Sequence, residues 1–421
     1  MDLVFAEATP SGRGGVSVIR LSGPGSRRAA ERLAGDLPQP RHAYFRTLRD
    51  GREELDQALV LWFEAGSSFT GEEVAELHLH GAPVVARRVG SALAALGARP
   101  AEAGEFTRRA FLNGRMDLAE VEGLGDLLEA ETDAQRRLAL RAAGGELGRK
   151  ADGWREMLIR AGALVEASVD FADEEVPDEV PDEVFDLLRR LTTDLEQEIS
   201  GFRAAERLRT GFEVAVIGAP NAGKSSLINR IARREVALVS DIAGTTRDVI
   251  ELRLDLRGLA VTLLDTAGLR ATEDHVEGLG VRRARERAEA ADLRLHISPE
   301  GHVDSALWRD GDILVRSKSD LIAQGDGLAV SALSGEGIEG LLAELHDRLA
   351  LCVAGAGIVS HERQAAALRD ARDALAGVSD LPPELVAEMI RQAAASLDRL
   401  VGRIGAEEYL DVIFTSFCIG K

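Results

Sequence analysis

The stretch Gly218-Ala-Pro-Asn-Ala-Gly-Lys-Ser225 decides the fold of the central part of this chain. It follows the strand-like run Glu213 to Ile217 and precedes the helical run SLINRIA, so it fits G-x-x-x-x-G-K-S in the strand–loop–helix context that this motif requires. The glycines let backbone N–H groups turn toward a β-phosphate at a helix N-terminus. Lys224 supplies a charge for the β- and γ-phosphates, and the Ser225 hydroxyl completes a Mg²⁺ shell. A P-loop nucleotide-binding domain is therefore predicted.

Two further phosphate signals follow along the chain. The run Asp241-Ile-Ala-Gly-Thr-Thr-Arg-Asp248 places Thr246 where it can reach Mg²⁺ and the γ-phosphate. The strand-like run Leu259 to Leu264 then ends in Asp265-Thr-Ala-Gly268, which offers a carboxylate for the water shell of the metal and a glycine N–H for the γ-phosphate. Three ordered phosphate signals in one α/β segment predict a P-loop GTPase.

Guanine selection is predicted in Ser317-Lys318-Ser319-Asp320, which follows the strand-like run Ile313 to Val315. Asp320 can accept both the N1 and the N2 hydrogens of guanine, which adenine lacks, and the Lys318 stem can cover the purine face. GTPases usually carry Asn where this chain has Ser317, so we expect one polar contact to the base and the loop to be shortened or lost. Guanine binding should then be weaker, with specificity retained through the aspartate.

The residue after Gly268 is Leu269, at the position where Ras-like enzymes place a glutamine that orients the attacking water. Because leucine can neither donate nor accept a hydrogen bond, another group must position the water. The residues leave two candidates open. One is an acid in the run Glu273-Asp-His-Val-Glu277, and the other is a charge supplied from outside the site.

The pattern of apolar and polar residues divides the chain into four segments, which are 1–118, 119–211, 212–353 and 354–421. The first mixes strand-like runs with helical spacing and predicts an α+β module. The second and fourth have helical patterns, whereas short β-branched runs alternate with helices in the third, which is typical of a parallel α/β sheet. Helical segments on both sides of an α/β unit predict one bundle that is discontinuous in sequence.

One connection in the α/β segment is unusually short. Between the strand-like runs Leu293 to Ile297 and Asp312 to Val315 only SPEGHVDSALWRDG remains. A parallel crossover needs about 10 to 12 residues. We therefore expect the third helix of the segment to be short.

Composition limits the class of protein. The 421 residues are 45% hydrophobic, which is ample for real cores, and carry a net charge of −20, which opposes autonomous binding to a nucleic-acid backbone. A nucleic-acid partner would be met locally or through a basic companion protein. Two cysteines indicate a reducing compartment, and no apolar stretch approaches the ~20 residues of a membrane span. We expect a cytoplasmic protein.

Several stretches outside the phosphate motifs carry a resemblance to one family. They are ATPSGRGGVSVIRLSGP, SFTGEEVAELHLHG, AGEFTRRAFLNGRMDLAEVE and the terminal FCIGK. Together with the phosphate motifs and the helical flanks, they closely resemble the bacterial and organellar tRNA-modification GTPases called MnmE or TrmE, over the whole chain. The resemblance implies a multi-domain α/β fold with an N-terminal α+β folate-binding and dimerisation domain (1–118), a discontinuous helical domain (119–211 and 354–421) and an inserted Ras-like G domain (212–353).

For the G domain, the resemblance implies a homodimer in which two G domains associate face to face when GTP and K⁺ are bound. The cation takes the place of an arginine finger. By position, the Asn221 side chain, the carbonyls of Ser240 and Ile242, and Thr245 would hold K⁺. Glu277 matches the catalytic acid, with Lys224 as the other catalytic residue, while Ser225 and Thr246 would bind Mg²⁺. The residues expected to bind GTP are Asn221, Ala222, Gly223, Lys224, Ser225, Ser226, Ser240, Asp241, Ile242, Ala243, Gly244, Thr245, Thr246, Asp265, Thr266, Ala267, Gly268, Ser317, Lys318, Asp320, Ser331, Ala332 and Leu333.

For the N-terminal domain, the resemblance implies binding of a tetrahydrofolate derivative, either 5-formyl- or methylene-tetrahydrofolate. Arg20, Glu76 and Arg115 match its ligand positions, although each also has the simpler interpretation of a surface ion pair. Lys421 would contact the cofactor, and Cys418 is a candidate nucleophile whose simpler interpretation is a small buried hydrophobe. His78 and His80, which follow Glu76 in the same strand-like run, are interpreted as packing or capping groups, and no metal cluster is evident.

The activity that this resemblance implies is K⁺-stimulated GTP hydrolysis coupled to tRNA modification. A partner that carries FAD and uses NADH would form a heterotetramer with the homodimer, and together they would install a 5-carboxymethylaminomethyl group on the wobble uridine (U34) of certain tRNAs with a folate one-carbon unit. Two alternatives stay open. One is a ribosome-assembly or regulatory GTPase without one-carbon chemistry, and the other is a folate-dependent transferase whose G domain is merely regulatory.

Overall fold

The computed structural model describes residues 2–10, 12–170, 180–234, 251–265, 285–321 and 327–404, together with 413, 414, 417 and 420. Contacts divide the chain into two compact units, each assembled from separate stretches of sequence. The first unit comprises 1–125, 143–184 and 377–421, and the second comprises 126–142 and 185–376. Both units are therefore discontinuous, and each is described by itself.

The N-terminal part of the first unit is a six-stranded sheet in the order β3-β4-β5-β2-β1-β6. Every neighbouring pair is antiparallel except β1 and β6, which are parallel. The strands are β1 (Val4–Glu7), β2 (Val16–Ser22), β3 (Tyr44–Asp50), β4 (Glu53–Phe63), β5 (Val74–His80) and β6 (Arg99–Pro100). Three helices accompany them, α1 (Ser26–Ala34), α2 (Pro83–Ala95) and α3 (Glu105–Leu112). The predicted α+β architecture is confirmed.

The apolar alternation along the strands explains the main core of this sheet. Leu21, Leu77 and Val60 come from three neighbouring strands and are fully buried, and they pack with Leu93 of α2 in a single core cluster. The polar residues that alternate with them point to the opposite face because successive side chains of a strand alternate sides. That opposite face carries Arg20 and Glu76, which stand directly across from each other on β2 and β5.

Long helices follow the sheet, as the sequence predicts. They are α4 (Leu118–Glu129), α5 (Asp133–Ala143), α6 (Glu146–Asp170) and α7 (Asp182–Thr210), and beyond the α/β segment come α10 (Glu362–Ala374) and α11 (Pro383–Leu400). In the first unit α6 packs along α11, where Gly162 lies against the Ile390 side chain. Pro383 opens α11, and Val386, Ile390, Ala393, Leu397 and Leu400 form its buried stripe. None of the described helices is long and apolar enough to cross a bilayer.

The α/β part of the second unit has a six-stranded sheet in the order β12-β11-β10-β7-β9-β8. Only β8 runs antiparallel to its neighbour. The strands are β7 (Phe212–Ile217), β8 (Glu251–Leu256), β9 (Leu259–Asp265), β10 (Leu293–Ser298), β11 (Ile313–Arg316) and β12 (Leu328–Ala329), with helices α8 (Lys224–Ala232) and α9 (Ile338–Cys352). The predicted α/β sheet is thus confirmed.

The prediction of a short third helix between β10 and β11 is wrong. All of 299–312 lies within the described chain, and this connection forms turns around 305–307 and no helix. Instead, Asp312 accepts hydrogen bonds from the Arg294 guanidinium at 2.8 and 2.9 Å and from the backbone N–H of Arg309. Leu307 then fills the sheet face that a helix would otherwise cover. The buried ion pair between Arg294 and Asp312 therefore holds the 299–312 connection in place without a helix.

Candidate functional site

The P-loop joins the end of β7 to the start of α8, as the motif requires. Gly223 at φ 99° and Asn221 at φ 64° both adopt the left-handed region. Gly218 approaches β10 so closely that a Cβ there would stand 2.3 Å from the carbonyl oxygen of Ile297. A side chain at this position would collide with the backbone, which explains the need for glycine.

Lys224 is buried at the first turn of α8 and folds back over the loop. Its ammonium group donates hydrogen bonds to the carbonyl oxygens of Gly218 at 2.7 Å and Ala219 at 3.1 Å. These neutral acceptors hold the positive charge inside the loop. An anionic phosphate there would be a stronger partner for the ammonium than two carbonyl groups.

The structure brings together two predicted phosphate motifs that are 40 residues apart. The hydroxyl of Ser225 donates a 2.7 Å hydrogen bond to Oδ2 of Asp265. Asp265 is buried at the C-terminal end of β9, which lies beside β7 in parallel. A hydroxyl and a carboxylate at one sheet edge are hard oxygen ligands of the kind that Mg²⁺ prefers, so these two residues fit a magnesium ion.

The predicted guanine loop contacts the P-loop directly. Ser317 is buried, and its hydroxyl donates a 2.5 Å hydrogen bond to the carbonyl oxygen of Ala222. The expectation that the contact to the loop is shortened or lost is therefore wrong. A serine can make this contact because the two backbones approach closely here: a Cβ built on Gly223 would lie 3.8 Å from Cβ of Ser317.

The two predicted base-binding segments are also joined to each other. The buried Ser331 hydroxyl donates to Oδ1 of Asp320 at 2.6 Å, and the backbone N–H of Ser319 donates to the carbonyl of Val330. Lys318 adopts φ 56°, a conformation that turns the chain sharply between the two. Asp320 is exposed, whereas Ser331 is fully buried and holds the Asp320 carboxylate through this hydrogen bond.

On the face of the N-terminal sheet opposite its main core, Arg20 and Glu76 form an ion pair. Nε of Arg20 lies 3.0 Å from Oε1 of Glu76, and His78 lies 3.3 Å from the other carboxylate oxygen. The rings of Phe69 and Phe106 have their centroids 5.9 Å from the Arg20 guanidinium carbon. Sequence reasoning did not single out these two aromatic residues. The sequence feature that could have identified them is a single aromatic residue inside each of the otherwise polar runs SFTGEE and GEFTRR.

Arg115 lies in the turn after α3, and its side chain is exposed. Its stem packs against Gly71, where a Cβ would stand 3.1 Å from Cγ of Arg115. Phe69 is two residues before Gly71, so one short loop contacts both Arg20 and Arg115. Gly420, next to the predicted Lys421, packs against the Glu7 carbonyl at the end of β1. The predicted folate positions 20 and 76 therefore meet directly, and position 115 is linked to them through the 69–71 loop.

A buried ion cluster holds that loop in place. Arg109 of α3 is 4% exposed and contacts the carboxylates of Glu72 at 3.0 Å, Glu105 at 2.8 Å and Asp2 at 2.9 Å. Burial pushes the pKa of Glu105 upward, but hydrogen bonds from Arg99, from the backbone at Glu102 and from Arg109 outweigh it, so the pKa falls to about 2. Glu105 is therefore ionised throughout the physiological range, and Glu72 anchors the loop that contains Gly71.

Other predicted residues lie outside the described part of the chain. They are Ser240, Asp241, Ile242, Ala243, Gly244, Thr245, Thr246, Thr266, Ala267, Gly268, Leu269, Glu277, Cys418 and Lys421. Within the ranges that are described, no group of three His, Cys, Asp or Glu side chains could hold a metal ion. His78 and His80 each pair with one carboxylate, of Glu76 and Asp56 respectively.

Comparisons with known proteins cover the whole chain. A family model described as the MnmE helical domain matches residues 118–418, and one described as the N-terminus of the GTP-binding protein TrmE matches residues 3–115. The tRNA modification GTPase MnmE of Paracoccus denitrificans is 62% identical over 421 residues, which is 100% of each chain. Proteins of the same name from Dinoroseobacter shibae and Cereibacter sphaeroides are 51% and 52% identical over 429 residues, again with full coverage of each chain. These matches confirm the resemblance read from the motifs.

Among solved structures, the G domain of the T. maritima FeoB iron transporter matches 32% of this chain and 98% of its own. Its sequence identity is 21% and its TM-score is 0.24, a likeness too low to bear on the fold.

Proposed function

Because the chain belongs to the MnmE family of tRNA modification GTPases, we propose that it couples K⁺-stimulated GTP hydrolysis to modification of the wobble uridine of certain tRNAs. A partner that carries FAD and uses NADH acts with it, and a tetrahydrofolate one-carbon unit becomes part of a 5-carboxymethylaminomethyl group. The observation that carries the hydrolytic part is the contact between Ser225 and Asp265 beside the buried Lys224.

In this function, Lys224 would hold the β- and γ-phosphates, and Ser225 and Asp265 would hold Mg²⁺, which would supply positive charge against the charge that develops on the phosphates. Lys224 donates to two neutral carbonyl oxygens of the loop, and an anionic phosphate is a stronger acceptor for its ammonium group than a carbonyl. Asp320 selects guanine, and Lys318 covers the base.

The potassium part of the proposal is supported by Asn221, an exposed residue of the P-loop held at φ 64°. Its side chain, the carbonyls of Ser240 and Ile242, and Thr245 would surround the cation. The ion would supply the charge that other GTPases receive from an arginine finger. With Leu269 unable to orient water, Glu277 would take that role as the catalytic acid.

The folate part is supported by the Arg20 and Glu76 pair. A carboxylate can accept two hydrogen bonds from the amino-pyrimidine edge of a pterin, and Glu76 pairs with Arg20, whose guanidinium carbon lies 5.9 Å from the centroid of the Phe69 ring. A flat ring could rest on Phe69. Arg115 would meet a folate carboxylate through its guanidinium fork. Gly420 packs against the end of β1, which supports a contribution from Lys421, and Cys418 is the candidate nucleophile.

The homodimer is supported by exposed apolar side chains on the N-terminal sheet. Phe45 and Leu59 are register partners on β3 and β4, and they are 64% and 44% exposed. Val16 on β2 is 55% exposed and pairs with His80 of the intervening strand β5. Exposed apolar side chains on one sheet are the kind of feature that marks an interaction surface. It suits the homodimer of the proposal, to which the FAD-carrying partner and tRNA are then added.

The test is mass spectrometry of wobble nucleosides from cells that lack this chain. Expression of the parent chain should restore the modified uridine, whereas Lys224→Ala and Arg20→Ala should not. Restoration by Lys224→Ala would refute coupling to GTP and favour a folate-dependent transferase with a merely regulatory G domain. If wobble nucleosides are unchanged without the chain, a ribosome-assembly or regulatory GTPase is the better description.

Potassium is tested separately on the purified protein. GTP turnover should be faster in K⁺ than in Na⁺ at equal ionic strength, and Asn221→Ala should remove the difference. Equal turnover in the two salts would refute the potassium part and leave the rest of the proposal standing.

A further inference from the structure

A cavity of about 420 Å³ lies in the first unit beside Arg115. It is bounded by the turn after α3, the N-terminal ends of α4 and α6, and the end of α11, and its charged lining includes Arg115, Arg149 and Arg403. We call it the Arg115 cavity. Its volume falls within the roughly 300 to 1,000 Å³ of small-molecule sites. The GTP-binding residues lie in the other unit, so nucleotide chemistry does not account for this cavity.

The carboxylates that line the Arg115 cavity are already engaged. Asp117 and Glu120 exchange two 2.7 Å hydrogen bonds, each accepting the backbone N–H of the other at the start of α4. Asp117 also lies against Gly148 in the first turn of α6, where an anion is favoured by the helix dipole. Asp152 forms an ion pair with Arg403. The acids therefore serve helix ends and one arginine. The Glu120 carboxylate and Nη1 of Arg149 both lie beside Gly145, but they form no ion pair within 4.0 Å in the described part of the chain.

Arg115 and Arg149 are the other two arginines that line the cavity. Arg149 donates to the carbonyl oxygen of Gly144 at 2.7 Å, which is a neutral acceptor. Within the ranges that the structure describes, neither Arg115 nor Arg149 forms an ion pair with a carboxylate. Two guanidinium groups without an anionic partner, facing one cavity, favour a ligand with more than one carboxylate or phosphate group.

The Arg115 side chain links the cavity to the loop that contacts the predicted folate residue Arg20. Arg115 lines the cavity, and its stem packs against Gly71 in the loop whose Phe69 faces Arg20. Two residues of backbone separate Phe69 from Gly71, a span of at most ~7 Å. A folate whose pterin lies at Glu76 and whose glutamate meets Arg115 would have its free γ-carboxyl at the mouth of the cavity.

We propose that the Arg115 cavity binds the poly-γ-glutamyl tail of the folate, with Arg149 receiving a carboxylate beyond the first glutamate. This inference rests on the folate part of the proposed function. Each added γ-glutamyl residue brings one carboxylate, and the tail contains only single bonds and amides, so it can follow a cavity lined by Gly114, Gly145, Gly148 and Gly402. The cavity thus selects the folates that carry a long tail over those with one glutamate.

The test compares 5-formyltetrahydrofolate carrying one γ-linked glutamate with the same compound carrying three, by calorimetric titration of the full chain. The triglutamate should bind about tenfold tighter or more, because a charge-assisted contact to a guanidinium is worth more than a neutral one. In Arg149→Gln the ratio of the two dissociation constants should fall toward one, and in Arg149→Glu it should fall further. Arg160→Gln, on the same helix but outside the cavity, should keep the parent ratio.

The outcomes separate the two proposals. Equal affinity of the parent for both compounds would overturn the tail site while leaving the folate function intact. A triglutamate advantage that persists in Arg149→Gln and Arg149→Glu would also overturn it. Failure of the parent to bind either compound would overturn the folate function, and the tail site with it. A preference that shrinks as salt rises would agree with recognition by exposed charges.

Discussion

The hydroxyl of Ser317 donates a 2.5 Å hydrogen bond to the carbonyl oxygen of Ala222, so the loop expected to select guanine is tied to the loop expected to hold the phosphates. Position 317 usually carries Asn in GTPases. Serine is shorter, yet it reaches the P-loop because a glycine follows Ala222 and lets the two backbones approach. The tether between the loops is therefore retained, while the reach of a longer amide toward the base is not.

Removal of this tether should weaken nucleotide binding. Ser317→Ala leaves the Ala222 carbonyl without its donor, and a hydrogen bond of this kind is worth about 1 kcal/mol, so GTP and GDP should bind roughly 3- to 10-fold more weakly. Ser317→Asn should instead bind more tightly than the parent. Equilibrium titration with a fluorescent guanine nucleotide measures both. Ser200→Ala, which removes a serine that donates to a carbonyl on α7, is the control. Unchanged binding in both Ser317 variants would contradict this account.

The contact between Ser225 and Asp265 makes a separate prediction about magnesium. Asp265→Asn keeps an oxygen that can accept the serine hydroxyl but removes the negative charge of the site. The Mg²⁺ concentration for half-maximal GTP hydrolysis should rise about tenfold or more, because Mg²⁺ is held through carboxylates and phosphates. Asp255→Asn, on the neighbouring strand β8, should leave the Mg²⁺ requirement unchanged. A normal Mg²⁺ requirement in Asp265→Asn would show that this carboxylate does not serve the metal.

Local patterns were sufficient to predict the strand, loop and helix of the P-loop, because the motif specifies them. They also assigned Ser225 and Asp265 to one metal site, since the loops after parallel strands meet at one edge of a sheet, but not the direct contact between the two residues. The Arg20 and Glu76 positions came from the resemblance alone. Nothing in the residues themselves shows that β2 and β5 are neighbours, because 56 residues separate Arg20 from Glu76.

Contacts that depend on the approach of distant backbones could not be predicted. The Ser317 hydroxyl meets a carbonyl 95 residues away, and the length of the serine alone suggested that this contact would be weakened. The short connection after β10 was expected to contain a helix because its length allows one. It contains none because the buried Arg294 and Asp312 pair closes the loop. Sequence spacing carries no information about such a pair.

The Arg109 cluster predicts a loss of stability in acid. The pKa of Glu105 is about 2 in the folded chain against an ordinary value of 4.5, so its contribution to stability is present above pH 4.5 and is lost as the pH falls toward 2. After allowance for solvent screening, the contribution is on the order of 1–2 kcal/mol. Urea unfolding of the parent and of Glu105→Gln measures it. The difference in unfolding free energy between the two proteins should shrink between pH 5 and pH 3, and a constant difference would contradict the assignment.

The two chain segments that lead into and out of the G domain converge on Asp126 in the second unit. Arg209, near the end of α7, and His361, just before α10, lie 3.7 Å and 2.9 Å from its two carboxylate oxygens. Arg209 also donates to the carbonyl of Ser360, so the two segments are joined to each other as well as to α4. These contacts make Asp126 a candidate for coupling the G domain to α4.

Asp126→Asn should reduce modification of the wobble uridine while GTP hydrolysis continues. The amide removes the charge that holds Arg209 and His361, and this should lower the free energy of unfolding by about 1–2 kcal/mol. GTP turnover should stay within about twofold of the parent, since the phosphate and base loops are not among its contacts, while the yield of modified wobble uridine in complemented cells should fall severalfold. Asp133→Asn, which disrupts only exposed pairs on α5, is the matched control. If turnover and modified uridine fall in the same proportion, Asp126 supports the G domain itself and does not couple it to the helices.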